Sequence, residues 1–131
     1  MTSLDIPNLS KEEYILYKDK EKLTQLCEFL RNTKDITILE SYKNTNIFHL
    51  QNSIIHNPVC PIQILKHFFF TVKFGGVKNI ILQNKLIPYS ILKEFYCHAN
   101  FLISSNENSD HGNYLKSLII NHPNWHLNEF I

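Results

Sequence analysis

The sequence predicts an all-α chain, a short right-handed α-solenoid of about four helix-pair repeats with an N-terminal capping helix. Three observations carry that expectation. Residues 53–68 and 80–95 restate one pattern 27 residues apart: an apolar run, an asparagine turn, a proline, then a second apolar run. The second run in each copy is spaced for a helix, with Ile62, Leu65, Phe68 and Phe69 in one and Ile91, Leu92 and Phe95 in the other falling on single faces. A unit of this size cannot bury such a stripe alone, so neighbouring units must stack.

Taken in order, residues 1–9 read as an N-terminal arm. Ser10-Lys11-Glu12-Glu13 is a capping box, in which Ser10 accepts from the Glu13 N–H while Glu13 reaches back, and it opens the capping helix. Residues 10–45 hold this helix and a degenerate repeat, where Asp35 stands as N-cap ahead of the stripe Ile36, Leu39 and Tyr42. The strong repeats occupy 46–73 and 74–100. Each has a first helix ending near His56-Asn57 or Gln83-Asn84, where asparagine tolerates a left-handed helix exit. Pro61 and Pro88 open the second helices, because the first turn has no use for the missing N–H. Gly75-Gly76 links the two repeats. Residues 104–113 are polar without apolar periodicity and read as an inserted loop. A final repeat fills 114–131, with His122-Pro123 aligned to Asn57-Pro58.

The string Asn57-Pro58-Val59-Cys60-Pro61-Ile62-Gln63-Ile64-Leu65 resembles the leucine-rich repeat variant family, an all-helical bacterial repeat, and is equally similar to HEAT-like α-helical repeats. The resemblance covers residues 46–131 and implies a helical repeat fold without implying an activity.

Composition narrows the function classes. Apolar residues make up 44% and charged residues 19% of the chain, which suffices for a core and rules out a disordered polyelectrolyte. There is no apolar run of the roughly 18 residues needed to span a bilayer and no basic-then-apolar leader, so the expectation is a cytoplasmic protein without membrane association. Cys27, Cys60 and Cys97 are odd in number and widely spaced, and read as reduced thiols packed in apolar segments. His122 and His126 have the i, i+4 spacing of a metal pair, but Pro123 forces His122 out of helical geometry, so no metal and no cofactor are expected. No phosphate-cradling glycine loop and no nucleophile–base pair is legible, so no catalytic residues are assigned and the chain reads as a non-enzyme.

Charge segregation is more telling than the net value of +1. Residues 1–40 hold eight acids and six bases, whereas residues 41–93 hold six lysines (Lys43, Lys66, Lys73, Lys78, Lys85 and Lys93) and no acid. Lys66 and Lys93 occupy equivalent repeat positions, and the second-helix row that bears them offers a partner-binding surface of Lys66, His67, Tyr89, Lys93, Glu94 and Trp125. The expected function is a protein-binding module, most concretely an immunity protein or inhibitor that neutralises a toxin by binding it. A nucleic-acid-binding helical repeat is the alternative, since basic positions repeated along a solenoid loosely resemble the alkylated-DNA-binding helical repeat proteins. Against it, the only arginine, Arg31, lies outside the lysine run, and phosphate recognition favours arginine forks.

Overall fold

The capping box opens the first helix as its residues require. Ser10 Oγ accepts from the Glu13 N–H at 3.1 Å, and Glu13 Oε1 accepts from the Ser10 N–H at 3.4 Å. The second carboxylate oxygen of Glu13 accepts from Thr45 Oγ1 at 2.8 Å and from the Asn46 N–H at 3.0 Å, so one side chain ties the helix start to a loop more than thirty residues on. The computed structural model describes residues 9–72, 75–105 and 109–125. The arm at 1–8, Lys73, and the His126, Leu127 and Phe130 of the final repeat lie outside them.

Among the described residues the structure is all-helical, with eight helices: α1 (Lys11–Lys18), α2 (Lys20–Asn32), α3 (Ile36–Ser41), α4 (Phe48–Ile55), α5 (Ile62–Thr71), α6 (Gly75–Leu82), α7 (Tyr89–Ser104) and α8 (Ser109–Ile120). None is long and apolar enough to cross a membrane. The chain contacts gather into two compact units, Met1–Phe68 and Phe69–Ile131.

In the first unit α1 packs on α2, and α2 on α4. α1 buries no residue, as befits a polar cap, while Leu30, Leu39, Leu50, Ile54, Leu65 and Phe68 form the core. Asp35 caps α3 as its type predicts, accepting from the Thr37 N–H at 3.0 Å. Ile47 has no side chain able to cap α4; the chain entry is held instead by Thr45, whose hydroxyl accepts from the Ile47 N–H and whose carbonyl accepts from Gln51 Nε2.

In the second unit α8 packs on α7 and α6. Leu92, Phe95 and Ala99 are the buried stripe of α7, and Phe69 stacks on Phe95 with ring centroids 3.7 Å apart. Pro88 is the N-cap of α7, one residue earlier than the first-turn position expected, with its carbonyl accepting from Ile91 and Leu92.

The inserted loop expected over 104–113 is not what forms at its two ends. Ser104 closes α7, and Ser109 to Asn113 are the opening of α8. The reason is Gly112, which reads as a loop residue in sequence and is buried in the structure. A Cβ there would sit 2.7 Å from the Ala99 carbonyl oxygen and 2.8 Å from Ile103 Cγ1, so the missing side chain lets α8 approach the backbone of α7. Packing gained along that contact outweighs the poor helix propensity of glycine, about 1 kcal/mol relative to alanine.

The turns after α4, α6 and α8 carry a recurring bond. Asn57 Oδ1 accepts from the Val59 N–H at 2.9 Å, Asn84 Oδ1 from the Leu86 N–H at 2.8 Å, and His122 Nδ1 from the Asn124 N–H at 3.0 Å. These three residues occupy equivalent positions in the repeats read from sequence. Two of the turns also reach back to an earlier one within their own unit. Asn57 Nδ2 donates to the carbonyls of Leu30 and Thr33, both at 2.7 Å. His122 Nε2 donates to the Asn84 carbonyl at 2.8 Å, and Asn124 Nδ2 to those of Lys85 and Ile87, both at 2.8 Å. Carbonyls at and beyond a helix C-terminus lack intrahelical partners, and these side chains supply them. Asparagine was expected here for its backbone tolerance; what the structure uses is its amide. His122, expected outside helical geometry ahead of Pro123, lies in the turn and is buried, with both ring nitrogens engaged in the pattern of the neutral Nε2–H tautomer.

Candidate functional site

Helical pitch places Tyr89, Lys93 and Tyr96 on one face of α7, at i, i+4 and i+7. Trp125, in the turn after α8, packs against that face. Its ring stacks on Tyr96 with centroids 5.0 Å apart and meets the Tyr89 ring edge-on at 5.3 Å. Two ammonium groups border the aromatic cluster: Lys93 Nζ lies 5.5 Å from the Tyr89 ring centre, and Lys116 Nζ, from α8, lies 5.2 Å from that of Tyr96. Such contacts contribute about 0.5–1 kcal/mol each at exposed sites. All three aromatics are half-buried, and the buried Trp125 Nε1 has no hydrogen-bond partner among the described residues. Among the described residues no ion pair uses either lysine.

Of the residues expected on the binding surface, the structure brings together Tyr89, Lys93 and Trp125. Glu94 is exposed on α7 beside Lys93. Lys66 and His67 belong to the first unit, where His67 Nε2 lies 3.1 Å from Asn44 Oδ1. Tyr96 and Lys116 were missed. Tyr96 was readable, since it falls one helical turn beyond Lys93 on the same face. Lys116 was not, because its place depends on how α8 packs on α7.

The lysine run is not one surface. Lys78 is buried; its Nζ donates to the Val72 carbonyl at 2.9 Å and lies 5.5 Å from the Phe69 ring centre. Burial holds its pKa below the ordinary 10.5. His98, edge-on to Phe69 and Phe70, is lowered from 6.5 by burial first, then by Lys78 and His111. His111 is lowered by burial and by Lys78. For both imidazoles the unfolded chain binds protons that the folded chain does not. Their contribution to stability is therefore present above 6.5 and is lost as pH falls through the lowered folded values. The urea midpoint is expected to fall between about pH 8 and about pH 5, and to fall less in Lys78→Met, which removes one cause of both shifts. An unchanged slope in that variant would disprove the coupling.

The thiols divide. Cys60 is pushed up to about 12, mainly by burial and secondarily by Glu40, which makes it a poor nucleophile. Cys97, expected inside an apolar helix, is exposed, because α7 turns it away from the Leu92–Phe95–Ala99 stripe. Comparison with known protein families, curated proteins and solved structures finds no match, so the reading of this site stands on the chain's own residues.

Proposed function

We propose that the chain is a non-catalytic protein-binding module built as a short α-solenoid of helix-pair repeats, related in kind to leucine-rich repeat variant or HEAT-like proteins. The same turn bond at Asn57, Asn84 and His122 supports the repeat reading, because equivalent residues doing equivalent work is what a repeated unit implies. The observation that carries the function is the Tyr89–Trp125–Tyr96 cluster flanked by Lys93 and Lys116. Half-buried tyrosine and tryptophan are the residue types that anchor protein interfaces, and flanking ammonium groups select a partner surface bearing carboxylates. In its most concrete form the module is a cytoplasmic inhibitor that caps a toxin.

The test is affinity capture from the source cell with the tagged chain, followed by titration of the captured protein. Trp125→Ala is expected to weaken binding by about 2 kcal/mol or more. The double variant Lys93→Glu, Lys116→Glu should slow association more than it speeds dissociation. Circular dichroism checks that both variants remain helical. If the chain instead retains DNA or RNA with a steep loss of affinity in salt, the nucleic-acid reading replaces this one.

A further inference from the structure

In the first unit, α1, α2 and α4 border an open groove of about 610 Å³. α1 contributes Tyr17 and Lys18, α2 contributes Lys20 and Arg31, and α4 contributes His49 and Asn52. Among the described residues no carboxylate lines it, although α1 and α2 carry Glu12, Glu13, Glu21 and Glu28. Glu13 is engaged with Ser10, Thr45 and Asn46, and no ion pair among the described residues uses Lys18, Lys20 or Arg31. The groove thus concentrates positive charge within a segment whose net charge is negative.

The charge is distributed unevenly along its length. Lys18, at the end of α1, and Lys20, at the start of α2, stand at one end and Arg31 near the other, with Lys20 and Arg31 about 16 Å apart along the α2 axis at a rise of about 1.5 Å per residue. Between them the lining holds no lysine or arginine, and it includes Asn52, whose buried Oδ1 has no hydrogen-bond partner among the described residues. A buried acceptor without a partner is costly, and rotating that amide toward a donor in the groove removes the cost. A nucleic-acid strand would bring a charge at every nucleotide to a groove that is cationic only at its ends. An extended peptide covers about 16 Å in about five residues and offers a main-chain N–H between its side chains.

We propose that this groove binds an extended acidic peptide segment with two carboxylates four residues apart, an even spacing that keeps both on one face of the strand while the long lysine and arginine side chains span the remaining length. Arg31 holds one carboxylate through its guanidinium fork, Lys18 and Lys20 hold the other, and a main-chain N–H between them donates to Asn52. The assignment rests on the protein-binding reading and adds a second contact, independent of the Tyr–Trp cluster.

The experiment is fluorescence anisotropy on the full chain with labelled glycine–serine peptides carrying two glutamates, spaced four residues apart in one and adjacent in the other, and with an oligodeoxythymidine of similar length. The spaced peptide is expected to bind about tenfold more tightly than its isomer, a preference that a two-ended site generates by geometry alone. Arg31→Gln, and Lys18→Gln with Lys20→Gln, should each abolish the preference, while Lys85→Gln in the other unit should leave it intact. All four side chains are exposed, so these variants keep the fold. Equal binding of the two peptides, an equal loss in Lys85→Gln, or tighter binding of the oligonucleotide than of either peptide overturns the proposal. Equal peptide binding alongside partner capture that still depends on Trp125 would remove the groove and leave the protein-binding reading standing. A clear spacing preference without any captured partner would support the groove and count against the Tyr–Trp cluster.

Discussion

Replacing Phe95 with alanine is expected to destabilise the protein by about 3–5 kcal/mol, the largest loss from any single truncation considered for this chain. Phe95 is fully buried in α7, stacked on Phe69 at 3.7 Å and edge-on to Phe70 at 5.6 Å. Truncation removes the apolar area of the ring, leaves a cavity between α5 and α7, and abolishes two aromatic contacts worth about 0.5–1.5 kcal/mol each beyond area burial. Phe95→Leu retains most of the volume without the stacking and should lose distinctly less. Urea denaturation of the two variants separates the terms. A loss below about 1 kcal/mol for Phe95→Ala would mean that the site collapses onto itself and that the ring stack is not a pillar of this unit.

Asn57→Ala is expected to cost about 2–4 kcal/mol, an effect that residue exposure alone would not predict for a turn asparagine. The side chain is buried and makes three hydrogen bonds, donating to the carbonyls of Leu30 and Thr33 and accepting from the Val59 N–H. Alanine leaves those groups without their partner in a place water reaches poorly, which costs more than the net worth of the bonds themselves. Asn57→Asp sharpens the test. It keeps the bond from Val59 but turns an anionic oxygen toward two carbonyl oxygens, so it should be at least as destabilising as alanine despite its near-identical shape. The corresponding substitution at Asn84, whose carboxamide oxygen accepts only from Leu86 among the described bonds, serves as the comparison. If Asn57→Ala unfolds at the same urea concentration as the parent chain, the reach from one turn to the earlier one does not contribute to stability.

Several features were legible without coordinates because they are local. The capping box at Ser10 and Glu13, the N-cap at Asp35, the prolines ahead of α5 and α7, and Leu92 and Phe95 of the α7 stripe all depend on residues within about two turns of one another. Periodicity, caps and proline geometry act over that range, and the sequence by itself determined from them the helical class, the starts of α1, α3 and, within one residue, α5 and α7, and the buried Leu39, Leu65, Phe68 and Phe69, whereas Ile36, read into the α3 stripe, is 47% exposed. Of the candidate site, Tyr89, Lys93 and Trp125 were named in advance, though nothing in the residue pattern required Trp125 to stack on Tyr96 rather than stand alone.

Other features were decided only by tertiary structure. Gly112 looked like loop punctuation until α7 came close enough that only a residue without a Cβ could stand there. Lys78 counted as surface charge until its neighbours buried it beneath Phe69 and directed its ammonium to the Val72 carbonyl. His122 passed for a turn histidine until the Asn84 carbonyl, 38 residues earlier, became its partner. Lys116 joined the aromatic cluster only because α8 lies along α7, and the charged ends of the Lys18–Arg31 groove exist only because α1, α2 and α4 enclose it. In each case the deciding neighbour is far along the chain. A short-range pattern specifies which face of a helix is apolar, but what that face meets, and which polar groups lose their water as a result, depends on how whole helices pack.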